Sequence, residues 1–298
     1  MVDSRSMPKT IVAIGEALWD VFPDRRLPGG APSNVAFHTA RLGDRGVIIT
    51  RVGDDPPGIE LAAFLHEQGV VTEYIQRDAR RPTGTVMVTI EDSEPSYAIT
   101  EDVAWDHIAA EDEARALVRA ADAVCVGSLA QRASYGRSAI RQFLSDAGNH
   151  TLVLFDVNLR PPFTDPGALE ATFRRADLVK LNELEVTRVS RLLEKPSLLS
   201  WLLEDVGVRA VCVTRGRHGA SISTPDGTFS ADGISIDAST GDAVGAGDAF
   251  TAAMAHQLVR DATPEEALHA ANRYAALVAT KRGAMPDITP DELAELGL

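Results

Sequence analysis

Short apolar runs alternate with longer amphipathic stretches along most of the chain. Ile11–Ile14 is a brief apolar run ending at Gly15, and Val47–Val52, Ala123–Gly127, Leu152–Val157, Leu178–Leu181 and Ala210–Thr214 share its character. Their length and their glycine or polar boundaries read as buried strands. Between them lie helical patterns with start and stop signals. Asp55-Pro56-Pro57 opens one that passes through Ile59, Leu61, Phe64 and Leu65 to Gly69. Proline in the first turn and glycine past the end suit a helix. Ser134–Ala147 closes on Gly148 in the same way. Strand–helix alternation predicts an α/β fold, a doubly wound and mostly parallel sheet with helices on both faces.

One stretch departs from this rhythm. Between Val70 and Val103 the pattern has period two, in Thr85-Val86-Met87-Val88-Thr89-Ile90 and again in Ser96-Tyr97-Ala98-Ile99. Glu91-Asp92-Ser93-Glu94-Pro95 separates the two runs, so the segment reads as an antiparallel hairpin. A hairpin inserted in a doubly wound domain has no place inside it and is expected to project as a flap. The reading is a single domain over residues 1–298, with residues 71–103 and the segment after Asp20 forming a small β lid.

Composition narrows the function. Of 298 residues, 45% are apolar and only 5% aromatic, an ordinary globular balance. The two cysteines, Cys125 and Cys212, both lie in apolar runs and form no Cys-x-x-Cys pair, which excludes a disulfide framework or zinc knuckle. A formal net charge of −14 argues against nucleic acid or an anionic membrane as partner. The absence of a long apolar segment leads to the expectation of a cytoplasmic protein.

Familiar nucleotide motifs are missing. There is no Walker sequence, no Gly-Lys pair and no Gly-x-Gly-x-x-Gly after the first strand. The strongest chemical signal is instead Gly241-Asp242-Ala243-Val244-Gly245-Ala246-Gly247-Asp248, running into a helical pattern. Small residues at a helix start leave backbone N–H groups free to hold an anion. An acid directly after such a nest repels a phosphate, but it can take the proton of a hydroxyl attacking that phosphate. An ordinary glycine turn with Asp248 in the first helical turn is the plainer alternative. A second segment, Gly29-Gly30-Ala31-Pro32-Ser33-Asn34, offers close backbone approach and an amide able to donate to and accept from a hydroxyl. A capped helix start accounts for it equally well.

Together the two segments resemble the two signatures of the ribokinase-like (PfkB) sugar kinases. The first fits from Gly29 to Gly53. The second fits from Asp242 to Met254, except that Ala243 stands where the family usually has Thr, Ser or Pro. Asp20, the run Asp156–Arg160, Asn182-Glu183-Leu184-Glu185, Thr214-Arg215-Gly216 and Gly283-Ala284 match family positions in order. Pro82–Val86 and Asp102–Ile108 look most like bacterial fructokinases. The resemblance implies a general base at Asp248 and an anion hole from Gly245, Ala246 and Gly247. It implies acceptor-sugar contacts at Asp20, Gly30, Asn34, Trp105, Asn158 and Arg160, with Trp105 as an aromatic wall. Nucleotide contacts are implied at Asn182, Glu185, Thr214, Gly216 and Asn272, with Ala275 beside the last. Glu185 would order Mg²⁺ through water, and Asp242, Val244 and Gly283 would hold a monovalent cation, K⁺.

The implied activity is ATP-dependent phosphorylation of a primary sugar hydroxyl, with fructose to fructose 6-phosphate preferred and a homodimer formed through the lid. The alternatives are a 2-keto-3-deoxygluconate kinase, a ribokinase, a nucleoside kinase and a catalytically silent sugar- or nucleotide-binding regulator. His38, His66, His150, His218, His256 and His269 show no ligand spacing and are expected to be solvated or capping residues.

Overall fold

The computed structural model describes residues 7–91, 94–236 and 241–298. The chain runs β1 (Thr10–Ile14), β2 (Leu18–Val21), β3 (Arg26–Gly29), α1 (Ala31–Arg41), β4 (Arg45–Gly53), α2 (Pro56–Glu67), β5 (Ile75–Asp78), β6 (Gly84–Glu91) and β7 (Glu94–Ile99). A 3₁₀ turn (Ala104–His107) leads to α3 (Asp112–Ala120), β8 (Ala123–Val126), α4 (Ser134–Asp146), β9 (Leu152–Asp156), α5 (Pro166–Phe173), β10 (Leu178–Asn182) and α6 (Glu183–Leu192). A short helix, α7 (Leu198–Ser200), widens into a π turn over Trp201–Val206. β11 (Ala210–Thr214), β12 (Ala220–Thr224), β13 (Gly227–Ala231), α8 (Ala246–Leu258), α9 (Pro264–Ala279) and α10 (Pro290–Leu296) complete it.

Each apolar run picked out in the sequence is a strand of one nine-stranded sheet, ordered β13-β12-β11-β10-β9-β8-β1-β4-β5. Neighbours from β11 through to β5 are parallel, and β12 and β13 add an antiparallel edge. Helices cover both faces, as the alternation predicts. Successive side chains of a strand point to opposite faces, and the core divides accordingly. Ile11, Ala13, Ile48, Cys125, Leu154 and Cys212 pack with α1, α8 and α9. Val12, Ile14, Val47, Val124, Phe155 and Val179 pack with residues of α3, α4, α5 and α6. Burial raises both thiols to about 12, so neither is a nucleophile.

A separate four-stranded sheet has the order β3-β2-β6-β7. The hairpin of β6 and β7 is present, while Asp92 and Ser93 of its turn lie outside the described residues. One feature differs from the expectation. β5 pairs with β4 on the edge of the large sheet, so residues 71–103 do not all belong to the small one. β2, which carries Asp20, pairs in parallel with β6 and antiparallel with β3, so the segment around and after Asp20 lies in the small sheet. Among the described residues no helix is long and apolar enough to cross a membrane.

The far end of α8 is fixed by an ion cluster that no local pattern reveals. The Asp44 side chain is wholly buried and accepts from the Lys9 N–H, from His256 Nδ1 at 2.7 Å and from Arg260. His256 is therefore a buried partner and not a solvated histidine. Burial opposes the charge on Asp44, but these donors outweigh it and hold the carboxyl below the usual aspartate range. Removing one partner of a buried ion cluster leaves the others uncompensated. Asp44→Ala is expected to lower the unfolding free energy by about 3–5 kcal/mol. With the folded-state pKa depressed, this stabilisation is complete above the unfolded value of about 3.9 and fades as pH falls through the folded one. Urea unfolding of both proteins at neutral pH checks it; a change under about 1 kcal/mol, typical of an exposed pair, would refute it.

Candidate active site

The carboxyl ends of the parallel strands, where ligands of open α/β sheets bind, collect the residues singled out above. The strand order reverses at β1, which has β4 on one side and β8 on the other. Its exit leads through Glu16 into β2, β3 and α1. Gly30, the residue before α1, has φ 101°, and a Cβ there would collide with the Glu16 carbonyl. Asn34 lies one turn into α1 and is buried.

Across the site, Gly245 has φ 76° in the left-handed region and starts α8. A Cβ on Gly245 would stand 2.7 Å from Ala284 Cα, so glycine is required on both counts. The first-turn N–H groups of a helix lack intrahelical partners and carry its positive dipole end. At Ala246 the N–H is turned toward the Ala243 carbonyl at 3.3 Å, so the nest rests less on this residue than the sequence implied.

Asp248 follows in the first turn of α8. Asn34 Nδ2 donates to its Oδ2 at 2.6 Å, joining the two sequence segments across 214 residues. Burial and the nearby Asp156 carboxylate push the Asp248 carboxyl up to about 6, while the Asn34 hydrogen bond and the charges of Lys180 and Arg160 pull it down. The acid is thus ionised at neutral pH yet basic for a carboxylate. Asp20, on β2, is pushed up to about 6 by burial, with Arg160 pulling against it. Arg160 is exposed and its charge also reaches Glu16. Half-buried Asn158 has φ 40° and accepts from Ser128 Oγ through its carbonyl at 3.3 Å.

Toward β10 and β11, Asn182 and Thr214 are register partners at the strand ends. Asn182 Oδ1 accepts from the Glu185 N–H, and Glu185 Oε2 accepts from the Asn182 N–H, a reciprocal cap on α6. The other oxygen of Glu185 accepts from the Leu159 N–H at 2.8 Å, which fixes the loop carrying Arg160. Gly216, with φ 54°, has open space where a side chain would stand. Asn272 lies apart from these groups in its bonding: its Nδ2 donates to the Asp232 carbonyl and ties α9 to the loop after β13. Ala275 is half-buried on the same helix. Asp242 accepts from the N–H groups of Val244 and Gly283, so the three residues assigned to a monovalent cation do come together.

Trp105 requires a correction. It is fully buried in the core, under the Arg132 guanidinium at 4.0 Å from its ring centroid. The exit from the small sheet turns this ring inward, so it presents no wall to a sugar.

Three residues of the site went unnoticed in the sequence. Lys180 is buried in β10, with Nζ 2.7 Å from Asp156 Oδ2, and a Cβ on Gly247 would stand 3.4 Å from that ammonium. Burial works against the charge, but Asp156 and, less strongly, Asp248 and Glu185 keep it protonated. Thr251 Oγ1 donates to the same Asp156 oxygen at 2.7 Å, pinning α8 to β9. Glu16 is buried with Oε2 unpartnered, and burial raises it to about 7. A lone charge inside the apolar run Leu178-Val179-Lys180-Leu181 was the one signal that pointed to any of these.

An anion held on backbone N–H groups beside an acid able to take a proton is the equipment of a phosphoryl-transfer enzyme. The chain belongs to the pfkB family of carbohydrate kinases, whose profile matches residues 15–291. It is accordingly a phosphotransferase with an alcohol acceptor. Fructokinase-1 of Oryza sativa subsp. japonica is 30% identical over 318 residues, covering 97% of each chain. A crystal structure of an uncharacterized sugar kinase from Pyrococcus horikoshii in complex with ATP is 28% identical, with a TM-score of 0.82 over 96% of this chain and 97% of that one. Fructokinase from Vibrio cholerae O395, in a form with fructose, ADP and calcium bound, is 28% identical, with a TM-score of 0.77 over 92% of this chain and 94% of that one.

The Asn34 amide favours the ionised form of Asp248. In Asn34→Ala the Asp248 carboxyl is expected to titrate above about 6. Titration of the carboxyl by ¹³C NMR checks this, and a midpoint that stays or falls would show that the bond does not act on the charge.

Proposed function

We propose that the chain is an ATP-dependent sugar kinase that converts D-fructose to fructose 6-phosphate. The observation that carries this reading is the hydrogen bond from Asn34 to Asp248, which sets the acid of the anion-binding helix against the helix of the acceptor segment. In the reaction a sugar hydroxyl attacks the γ-phosphorus of ATP, the bond to the β–γ bridging oxygen breaks and ADP leaves. Asp248 takes the hydroxyl proton. N–H groups of the nest from Gly245 to Gly247 hold the equatorial oxygens of the transferring group, where charge is spread in the transition state. Asp20 and Asn34 orient the acceptor through its hydroxyls, with Gly30 giving the sugar close access to the backbone. Thr214 and Gly216 flank the triphosphate. The small sheet closes over the acceptor and keeps out water, the competing nucleophile.

Among the described residues no group of His, Cys, Asp or Glu forms a closed metal cage. Mg²⁺ keeps several waters and binds mainly through substrate phosphates, so the proposed ion does not depend on such a cage. Glu185 and Asp156 would face its water shell, and the ion would neutralise charge on the phosphates. Asp242, with the backbones of Val244 and Gly283, would hold K⁺ behind the nest. Chelation is expected to abolish turnover, with Mg²⁺ restoring it, and exchange of Na⁺ for K⁺ is expected to raise kcat. A rate indifferent to K⁺ would mean that the Asp242 clip orders the nest by its hydrogen bonds alone.

A keto-acid kinase is the second reading, favoured by the reach of Arg160 toward the acceptor end. Initial rates with fructose, ribose, 2-keto-3-deoxygluconate and adenosine, read by coupled ADP release, separate the two. Fructose is expected to give the highest kcat/KM, and a higher value for the keto acid that is lost in Arg160→Ala would reassign the substrate. Asp248→Asn is expected to cut kcat by about 10²–10⁴ with the KM of both substrates retained. In the parent enzyme kcat should fall as pH drops through about 6, where the base becomes protonated.

A further inference from the structure

His38 is one of the histidines set aside in the sequence, yet it is completely buried, one helical turn after Asn34 on α1. Its Nδ1 lies 3.0 Å from the Tyr274 hydroxyl on α9, and its Nε2 lies 3.0 Å from the Ala284 carbonyl oxygen. A carbonyl oxygen only accepts, so Nε2 carries the proton. In a neutral ring Nδ1 then accepts, and Tyr274 O–H must be the donor. Burial pushes the ring down to about 3, which keeps it neutral throughout the working range.

That same Ala284 oxygen lies 2.8 Å from where a Cβ of Gly245 would stand, so it abuts the start of the nest. The preceding residue, Gly283, is clipped to Asp242 on the other side of the nest segment. Residues four apart on a helix share a face. On α1 the first of them, Asn34, holds Asp248, and the second, His38, holds the carbonyl against Gly245.

We propose that His38, fixed in its Nε2–H tautomer by the Ala284 carbonyl and held in place by the Tyr274 hydroxyl, is a positioning residue that sets the anion nest against the catalytic acid. The proposal rests on the reading of residues 245–248 as the phosphoryl-transfer segment. Without Tyr274 O–H the buried Nδ1 loses its donor, and the ring is free to turn and carry its Nε2–H away from the Ala284 carbonyl. The two oxygens of the nest wall and the acid would then lose their common register.

Kinetics of His38→Leu, His38→Gln, Tyr274→Phe and the double variant His38→Leu/Tyr274→Phe test this. His38→Leu and Tyr274→Phe are each expected to lower kcat about 10- to 100-fold, the scale of a misplaced catalytic group, with both KM values within about twofold. Glutamine can place an N–H donor near the position of Nε2, so His38→Gln should regain most of kcat. The double variant should be no slower than the slower single one, because both break one chain of bonds. Unchanged kcat in His38→Leu, or a loss that glutamine does not repair, would overturn the proposal. The ¹⁵N shifts of the ring report its bonding without turnover: Nε2–H in the parent, and in Tyr274→Phe a shifted Nδ1 resonance as its hydrogen bond is lost. A parent enzyme inert toward every acceptor would refute the kinase reading instead, and a parent ring protonated at Nδ1 would refute the proposal whatever the activity.

Discussion

The proposed reaction depends on keeping one half-buried carboxylate charged. For that role Asp248 must be ionised to accept a proton, yet partial desolvation and a nearby second acid, Asp156, both favour its neutral form. Three groups oppose that drift: the Asn34 amide, the Lys180 ammonium and the Arg160 guanidinium. Each comes from a different part of the sheet's carboxyl edge. The fold can be understood as the frame that brings α1, β10 and the loop after β9 to one acid at the start of α8. Lys180 is the least replaceable of the three in physical terms. It is buried, bonded to Asp156, and thereby quiets the charge that most disturbs Asp248.

Much of this frame was legible along the chain. Fully buried parallel strands read as short apolar runs, and proline and glycine bounded the helices, so the sheet was visible before any partner was known. The glycine-rich starts of α1 and α8 were visible because a left-handed φ or a close backbone approach restricts the residue type locally. Asn34 and Asp248 stood out for the same reason, being the polar residues next to those glycines. The assignment of β5 to the small sheet failed because pairing partners are a tertiary choice that a four-residue run does not encode.

Residues whose meaning lies in a distant partner were illegible. His38, Lys180, Glu16 and the Asp44–His256–Arg260 cluster carry no spacing signal, since each is completed by groups on other elements. Trp105 shows the opposite error. An aromatic flanked by Ala104 and Asp106 after a hairpin looked like a pocket wall, but Asp106 pairs with Arg132 at 2.7 Å and the ring packs beneath that guanidinium. The polar neighbour was holding a buried cation and not marking a surface.

The same electrostatics bear on the acceptor. Glu16, Asp20 and Asp248 all feel the positive charge of Arg160, and burial already raises each of them toward neutrality. In the proposed reaction an anionic acceptor would add a further negative group, and its field would push Asp248 toward the protonated form that cannot act as a base. A neutral polyol brings hydroxyls that donate to these carboxylates and stabilise their charged forms. On the proposed mechanism, substrate charge and catalytic competence are thus coupled through the ionisation of Asp248. That coupling is a physical reason for the proposed reaction to use a neutral polyol, which helps to keep its own base charged.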